Sequence, residues 1–205
     1  MIKLKFVDLK VLIKNDEFLR SSVWNRIIAD LKESIEDVKW PKGSDKFLLF
    51  DDKGRGRGQA NGVTPIKRMF QNNLKARGWD LERKMHIASY KSPGKVDAVL
   101  GIDGKHFAVE WETGNISSSH RALNKMCVGL LKNKLIGGIL VLPTRKMYQY
   151  LTDRVGNFAE IEPYLDLWKS IRVENGFLAI ITVEHDGVSK NIQRIPKGTD
   201  GRALV

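Results

Sequence analysis

The 205-residue chain is short of cysteine, of long apolar runs and of acids. Its single cysteine, Cys127, has no partner for an intramolecular disulfide and no second thiol for a cysteine-based zinc site, which excludes a disulfide scaffold and a zinc finger. The longest apolar stretch, 135–142, falls far short of the roughly 20 residues that cross a bilayer, and it stops at Pro143. No transmembrane helix is expected. The opening residues Met1-Ile2-Lys3-Leu4-Lys5-Phe6 interleave apolar and charged positions and never open into the apolar core of a secretory signal, so a cytoplasmic protein without a membrane partner is expected. Asp and Glu number 24 against 35 Lys and Arg, a net charge of +11. An excess of that size points to an anionic partner.

What is present suits one globular domain over residues 1–205, since 42% of the residues are hydrophobic. Apolar residues Phe18, Val23, Ile27, Ile28, Leu31, Ile35 and Val38 recur at spacings of three or four, which predicts one helix over 16–38. A short strand is expected over 46–50. The segment 53–62 carries four glycines and little to bury, so it reads as a mobile basic loop. Thr64-Pro65 reads as N-cap and first residue of a helix ending at Gly78, with Ile66, Met69, Phe70 and Leu74 buried. Residues 53–84 hold nine Lys or Arg against two acids, so +7 of the charge is concentrated there.

Further strands are expected over 83–88, 95–102 and 105–112, then a helix over 118–134 with Leu123, Met126, Cys127, Leu130 and Leu131 buried. The β-branched run 136–142 reads as a central strand. Helices over 144–154 and 160–168 follow, and Asp186-Gly187 predicts a hairpin joining strands 177–184 and 189–195. From Pro196 onward the chain reads as a loose basic tail, 196–205. There are no internal repeats. This order of elements predicts an α/β fold with a mixed central β-sheet.

Asp103-Gly104 between two alternating apolar runs is a strong signal for a type I′ turn. Opposed residues then have numbers summing to 207, and they share a face. Ile102 with Lys105, Leu100 with Phe107, Ala98 with Val109 and Val96 with Trp111 form an apolar face. Gly101 with His106, Val99 with Ala108, Asp97 with Glu110 and Lys95 with Glu112 form the other. A slip of one residue would scatter the apolar set onto both faces, so the pattern itself fixes the register. It brings the Asp97 and Glu110 Cβ atoms to about 4.5–5.5 Å of one another, with Glu112 two residues further on. Opposed like charges destabilise a sheet unless they share a proton or bind a cation. Oxygen donors without sulfur suit a hard ion, Mg²⁺ or Mn²⁺. Equally, acids on a solvated sheet face can be nothing more than surface charge.

Lys95-Val96-Asp97 and Val109-Glu110-Trp111-Glu112-Thr113-Gly114-Asn115-Ile116-Ser117-Ser118-Ser119 resemble the catalytic core of type II restriction endonucleases of the BamHI, BglII and BstYI group, within the PD-(D/E)XK nuclease superfamily. In the superfamily an acid is followed on the next strand by acid, any residue, lysine. In this group Glu or Gln replaces the lysine, and Glu112 stands in that place. The resemblance covers about 64–142, the expected catalytic core.

It implies a restriction-endonuclease-like core with a mixed central sheet flanked by helices, and Mg²⁺-dependent, sequence-specific hydrolysis of double-stranded DNA by a homodimer, leaving 5′-phosphate ends. Asp97, Glu110 and the backbone carbonyl of Trp111 would hold Mg²⁺, with Mn²⁺ able to substitute. Glu112 would orient or deprotonate the attacking water, and Lys95 could assist. Asn115 falls where the group has an asparagine that contacts bases. Ser117, Ser118, Ser119, His120 and Arg121 follow it at a helix N-terminus suited to phosphate or base edges, and Arg55 and Arg57 of the basic loop could reach DNA as an arm. Trp40, Trp79 and Trp168 read as core, and the histidines show no metal-ligand spacing. A catalytically silent DNA-binding protein and a non-specific or structure-specific nuclease of the same superfamily remain open on the sequence.

Overall fold

The computed structural model describes residues 3–53, 60–88, 92–152 and 155–197. Strands β1 (Lys5–Ile13), β3 (Asp80–Met85), β4 (Gly94–Ile102), β5 (Lys105–Trp111), β6 (Leu135–Pro143) and β7 (Phe177–Glu184) form one six-stranded sheet in the order β1-β7-β6-β5-β4-β3. The central pairs β5/β6 and β6/β7 are parallel and the outer pairs antiparallel, so the sheet is mixed as expected. β2 (Leu48–Phe50) pairs in parallel with β8 (Gly187–Ser189) in a separate small sheet.

Side-chain alternation divides the core between the two sheet faces. Ile139, Val141, Phe177, Ala179, Ile181 and Val183 pack with Trp24, Ile27, Leu31 and Ile35 of α2 (Ser22–Glu36) and Ile66, Phe70 and Leu74 of α3 (Thr64–Ala76). Leu140, Leu142, Leu178 and Ile180 pack on the other face with Leu123, Met126, Cys127 and Leu130 of α4 (Ile116–Leu131). Burial on both faces is why β6 and β7 read as continuous apolar runs. Trp40, Trp79 and Trp168 are all buried, as expected.

Several elements depart from the sequence expectation. The helix over 16–38 is two helices, α1 (Asp16–Arg20) and α2, because the Ser21 hydroxyl donates to Phe18 O at 2.6 Å and accepts from Trp24 N at 3.1 Å, ending one helix and capping the next. Val63 rather than Thr64 is the N-cap of α3. β1 was not anticipated as a strand, since its half-exposed edge position leaves only a weak alternation. The 177–195 hairpin does not form: both edges of β7 are taken, by β1 and β6, and the chain after Gly187 pairs with β2 instead. The helix expected over 144–154 is, among the described residues, the short α5 (Arg145–Tyr148), whereas 160–168 is helical as expected but divided into α6 (Phe158–Ile161), a 3₁₀ turn (Glu162–Tyr164) containing Pro163, and α7 (Leu165–Lys169). Leu131, expected inside, is 57% exposed.

The ends of the two segments read as loose are held. Asn61 is fully buried, its side chain bonding Phe50 N and O, Tyr150 O and Ile195 N, and Gly62 N donates to Ile195 O at 3.0 Å. These bonds join the residues just after the basic loop to those at the start of the tail. The loop's Arg55 and Arg57, and the tail beyond residue 197, lie outside the described residues.

Candidate active site

The β4–β5 hairpin turns through Asp103 and Gly104, both at positive φ (47° and 78°), the signature of a type I′ turn. Its register follows the expected sum from Ile102 opposite Lys105 to Ala98 opposite Val109. There the main-chain ladder stops, although both strands continue. Carboxylates take over: Asp97 N–H donates to Glu110 Oε2 at 3.2 Å, and Trp111 N–H donates to Asp97 Oδ2 at 2.8 Å. Side chains thus strap the two strands where backbone bonds would otherwise run. The expected pairing of Val96 with Trp111 fails for the same reason, and Val96 packs instead with the residues beneath α4. β5 meanwhile stays paired to β6 as far as Trp111 opposite Val141, and Glu112 N–H donates to Val141 O at 3.1 Å.

A cavity of about 1280 Å³ lies at this point, lined by Asp97, Glu110, Glu112, Lys67, Lys95 and the first turns of α4. Asp97, Glu110 and Glu112 are all nine-tenths or more buried (8%, 9% and 6% exposed), so each requires a partner. Lys67 of α3 pairs with Asp97 Oδ1, and Lys125 of α4 pairs with Glu110 Oε1. Gln71 Nε2 donates both to Asp97 O at 3.0 Å and to Glu82 Oε1 at 2.9 Å, tying α3 to β3 and β4. Burial pushes the Glu110 carboxyl up to about 7; the Asp97 charge adds to this and Lys125 opposes it. Burial also raises Glu112, against the hydrogen bonds it accepts from Ser119 and from the backbone at Gly114. Glu110 is thus an acid poised to hold or exchange a proton near neutrality, and Glu112 is shifted in the same direction.

The remaining sequence candidates fall into three groups. Asn115, Ser117, Ser118, His120 and Arg121 line the cavity, with Asn115 serving as N-cap of α4 through its Oδ1 to Ser117 N at 3.1 Å. His120 also stacks edge-on against Tyr164, ring centroids 4.6 Å apart. Ser119, expected to contact DNA, is fully buried and instead donates from Oγ to Glu112 Oε2 at 2.7 Å. Helical periodicity turns it inward while its neighbours face the cavity. Lys95 was expected beside Glu112 but has its Nζ 3.6 Å from Glu82 Oε2, because the ladder that would have opposed the two residues has already ended.

Nothing in the sequence places Lys67 or Lys125 against the acids, and Gln71 joins them from α3. The first two stood out only as charge within basic segments, and nothing local announces a contact with an acid 30 or 15 positions away. Asp97 and Glu110, side by side from adjoining strands and offering only oxygen, suit a hard cation. Among the described residues no group of three His, Cys, Asp or Glu forms a metal cage, so the expected cluster of three acids resolves into a pair with Glu112 turned towards Ser119 and Gly114.

A mixed sheet of this topology, with a hairpin delivering paired acids to a basic cavity, is a restriction-endonuclease fold. The crystal structure of restriction endonuclease BglII complexed with a DNA 16-mer shares it, with a TM-score of 0.54 at 11% identity over 92% of this chain and 87% of that one. Residues 4–202 match the family described as restriction endonuclease BamHI. The type II restriction enzyme OkrAI of Oceanobacter kriegii is 48% identical over 178 residues, 87% of this chain and 89% of that protein. The type II restriction enzyme BamHI of Bacillus amyloliquefaciens is 32% identical over 199 residues, 94% and 87% of the respective chains. The chain belongs to the BamHI family of restriction endonucleases.

Proposed function

We propose that this chain is a cytoplasmic type II restriction endonuclease that hydrolyses double-stranded DNA at a specific sequence, requires Mg²⁺ with Mn²⁺ as a substitute, and leaves 5′-phosphate ends. The observation that carries the proposal is the pair Asp97–Glu110, buried at the end of the hairpin ladder and facing a cavity ringed with basic and hydroxyl side chains. Asp97, Glu110 and the backbone carbonyl of Trp111 would hold the ion. Mg²⁺ supplies, when bound, concentrated positive charge against the phosphate and its leaving oxygen. Lys67 and Lys125 balance the two carboxylates in the free protein, and their flexible stems can turn the ammonium groups to phosphate when DNA enters.

Glu112 would take the proton of the attacking water, a role that its raised proton affinity serves. Asn115, Ser117, Ser118 and Arg121, at the N-terminal turn of α4, supply donors for phosphate and base edges. Two such active sites are needed to cut both strands of a symmetric sequence, so the working form is a homodimer. The exposed apolar side chains Leu131, Tyr164 and Leu167, on α4 and the helical turns packed on the same sheet face, support that assembly.

Incubating DNA of known sequence with the protein, with and without Mg²⁺, and reading the fragment ends tests this. Discrete fragments bearing 5′-phosphates only when the ion is present are expected; retarded but uncut DNA would identify a silent binder, and a smear a non-specific nuclease. Binding should weaken by about a hundredfold or more between roughly 50 and 200 mM salt as phosphate contacts release counterions. A flat salt response would count against a surface that grips phosphates.

A further inference from the structure

Ser117 is exposed and Ser118 half-buried on the cavity side, whereas Ser119 is fully enclosed. It does not cap α4, because Asn115 already does so. Its hydroxyl bonds to Glu112 Oε2 at 2.7 Å, while Gly114 N–H occupies Oε1 at 2.5 Å, so both oxygens of this carboxylate are held from within the following seven residues.

A third segment closes over the arrangement. Gly156 N–H donates to Gly114 O at 2.8 Å, and a Cβ at position 156 would stand 2.4 Å from Ser119 Oγ and 3.3 Å from the Ile116 Cα. A Cβ at position 114 would likewise stand 2.6 Å from Ser118 Oγ and 3.2 Å from Glu112 Oε1. Two glycines thus leave the space in which a single hydroxyl–carboxylate bond fits. The backbone after β6 is thereby coupled to the orientation of Glu112.

We propose that Ser119 is a positioning residue for Glu112, and that Gly156 is required because any side chain there would displace the Ser119 hydroxyl. The inference rests on the reading of Glu112 as the group that takes the proton from water. A carboxylate fixed at both oxygens presents its remaining lone pairs in one direction, and such orientation is worth most in the transition state rather than in DNA binding. Ser119 therefore acts on the rate of cleavage and not on affinity.

The test uses the full-length protein and the variants S119A, S119C, G156A, S119A/G156A and E112Q. Three quantities are read: single-turnover cleavage rate, DNA affinity without added divalent ion, and melting temperature. S119A should slow cleavage about 10- to 100-fold, the effect of losing a hydrogen bond to a charged group, with affinity unchanged. S119C, which keeps a small donor, should recover part of the rate. G156A should slow the wild-type enzyme more than it slows S119A, since the added methyl then has no hydroxyl to displace. Cleavage by S119A at the wild-type rate, a loss that follows weakened binding or melting, or strictly additive effects at 119 and 156 would each overturn the proposal. E112Q separates the two ideas: if it cuts normally, the reading of Glu112 fails, whereas a dead E112Q beside a fully active S119A sinks this inference alone.

Discussion

Two buried carboxylate clusters lie at the same end of the central sheet, and they have opposite character. At the end of β5, burial and the Asp97 charge drive Glu110 up to about 7. At the end of β7, burial also works against the charged form of Glu184, but contact with His185, the hydroxyl of Thr144 and the nearby Lys146 outweigh it and hold this carboxyl below its ordinary value. Thr144 also caps α5, accepting from Met147 N at 3.2 Å, and His185 packs against the Tyr150 ring. Glu184 is thus a staple for the chain leaving β6. Glu110 is held in a place that its own charge opposes. Burial is common to both, so what sets the proposed reactive cluster apart is the balance of its partners.

Substitution should separate the two clusters most sharply in activity. Glu110→Ala or Asp97→Ala is expected to lower cleavage more than about a thousandfold while leaving most DNA binding intact. Glu184→Ala, measured per folded molecule, should cut within about a few fold of wild type. If the E184A protein is as inactive as E110A, the division between a chemical and a structural cluster is wrong.

Stability should move the other way, by a few kcal/mol. Glu184→Gln removes the carboxylate charge that accepts from the Thr144 hydroxyl and faces His185 and Lys146, so it should destabilise by about 2 kcal/mol in denaturant unfolding at neutral pH. Glu110→Gln removes a charge that burial disfavours, and at pH 8 without divalent ions it should stabilise the fold by roughly 2–3 kcal/mol. A destabilised E110Q at that pH would mean that Lys125 more than compensates the burial.

The pH dependence gives the smallest and most graded difference. Glu110 binds its proton more tightly folded than unfolded, so its contribution is fully present below the ordinary value of 4.5 and is lost as pH rises through about 7. Glu184, lowered on folding, contributes above the ordinary range and loses that contribution as pH falls through its folded value. Metal-free wild-type stability should therefore decline between about pH 5 and 8 with a component that E110Q removes and E184Q does not. Equal slopes for wild type and E110Q over that window would contradict the assignment.

Much of this site was legible because it is local. Asp103-Gly104 and period-two alternation fixed the register as far as Ala98–Val109 and placed Asp97 beside Glu110 without any tertiary information. The same reasoning overran at Lys95 and Glu112, since alternation cannot reveal where a ladder ends and side chains replace it. Contacts made across elements carried no local signal: Lys67 on Asp97, Lys125 on Glu110, Asn61 joining three segments, and Thr144 on Glu184. Among the elements, buried central strands were plain from composition, whereas edge strand β1 and the short turns after β6 owe their form to neighbours rather than to their own pattern.

Asp97 and Glu110 together are proposed as the centre at which DNA is cut. The most direct test is the single-turnover rate of Asp97→Asn on cleavable duplex with saturating Mg²⁺, a change that keeps the size of the side chain and removes only its charge. Bound but uncut DNA is expected; product formed at the wild-type rate would show that the two carboxylates are not the cutting centre.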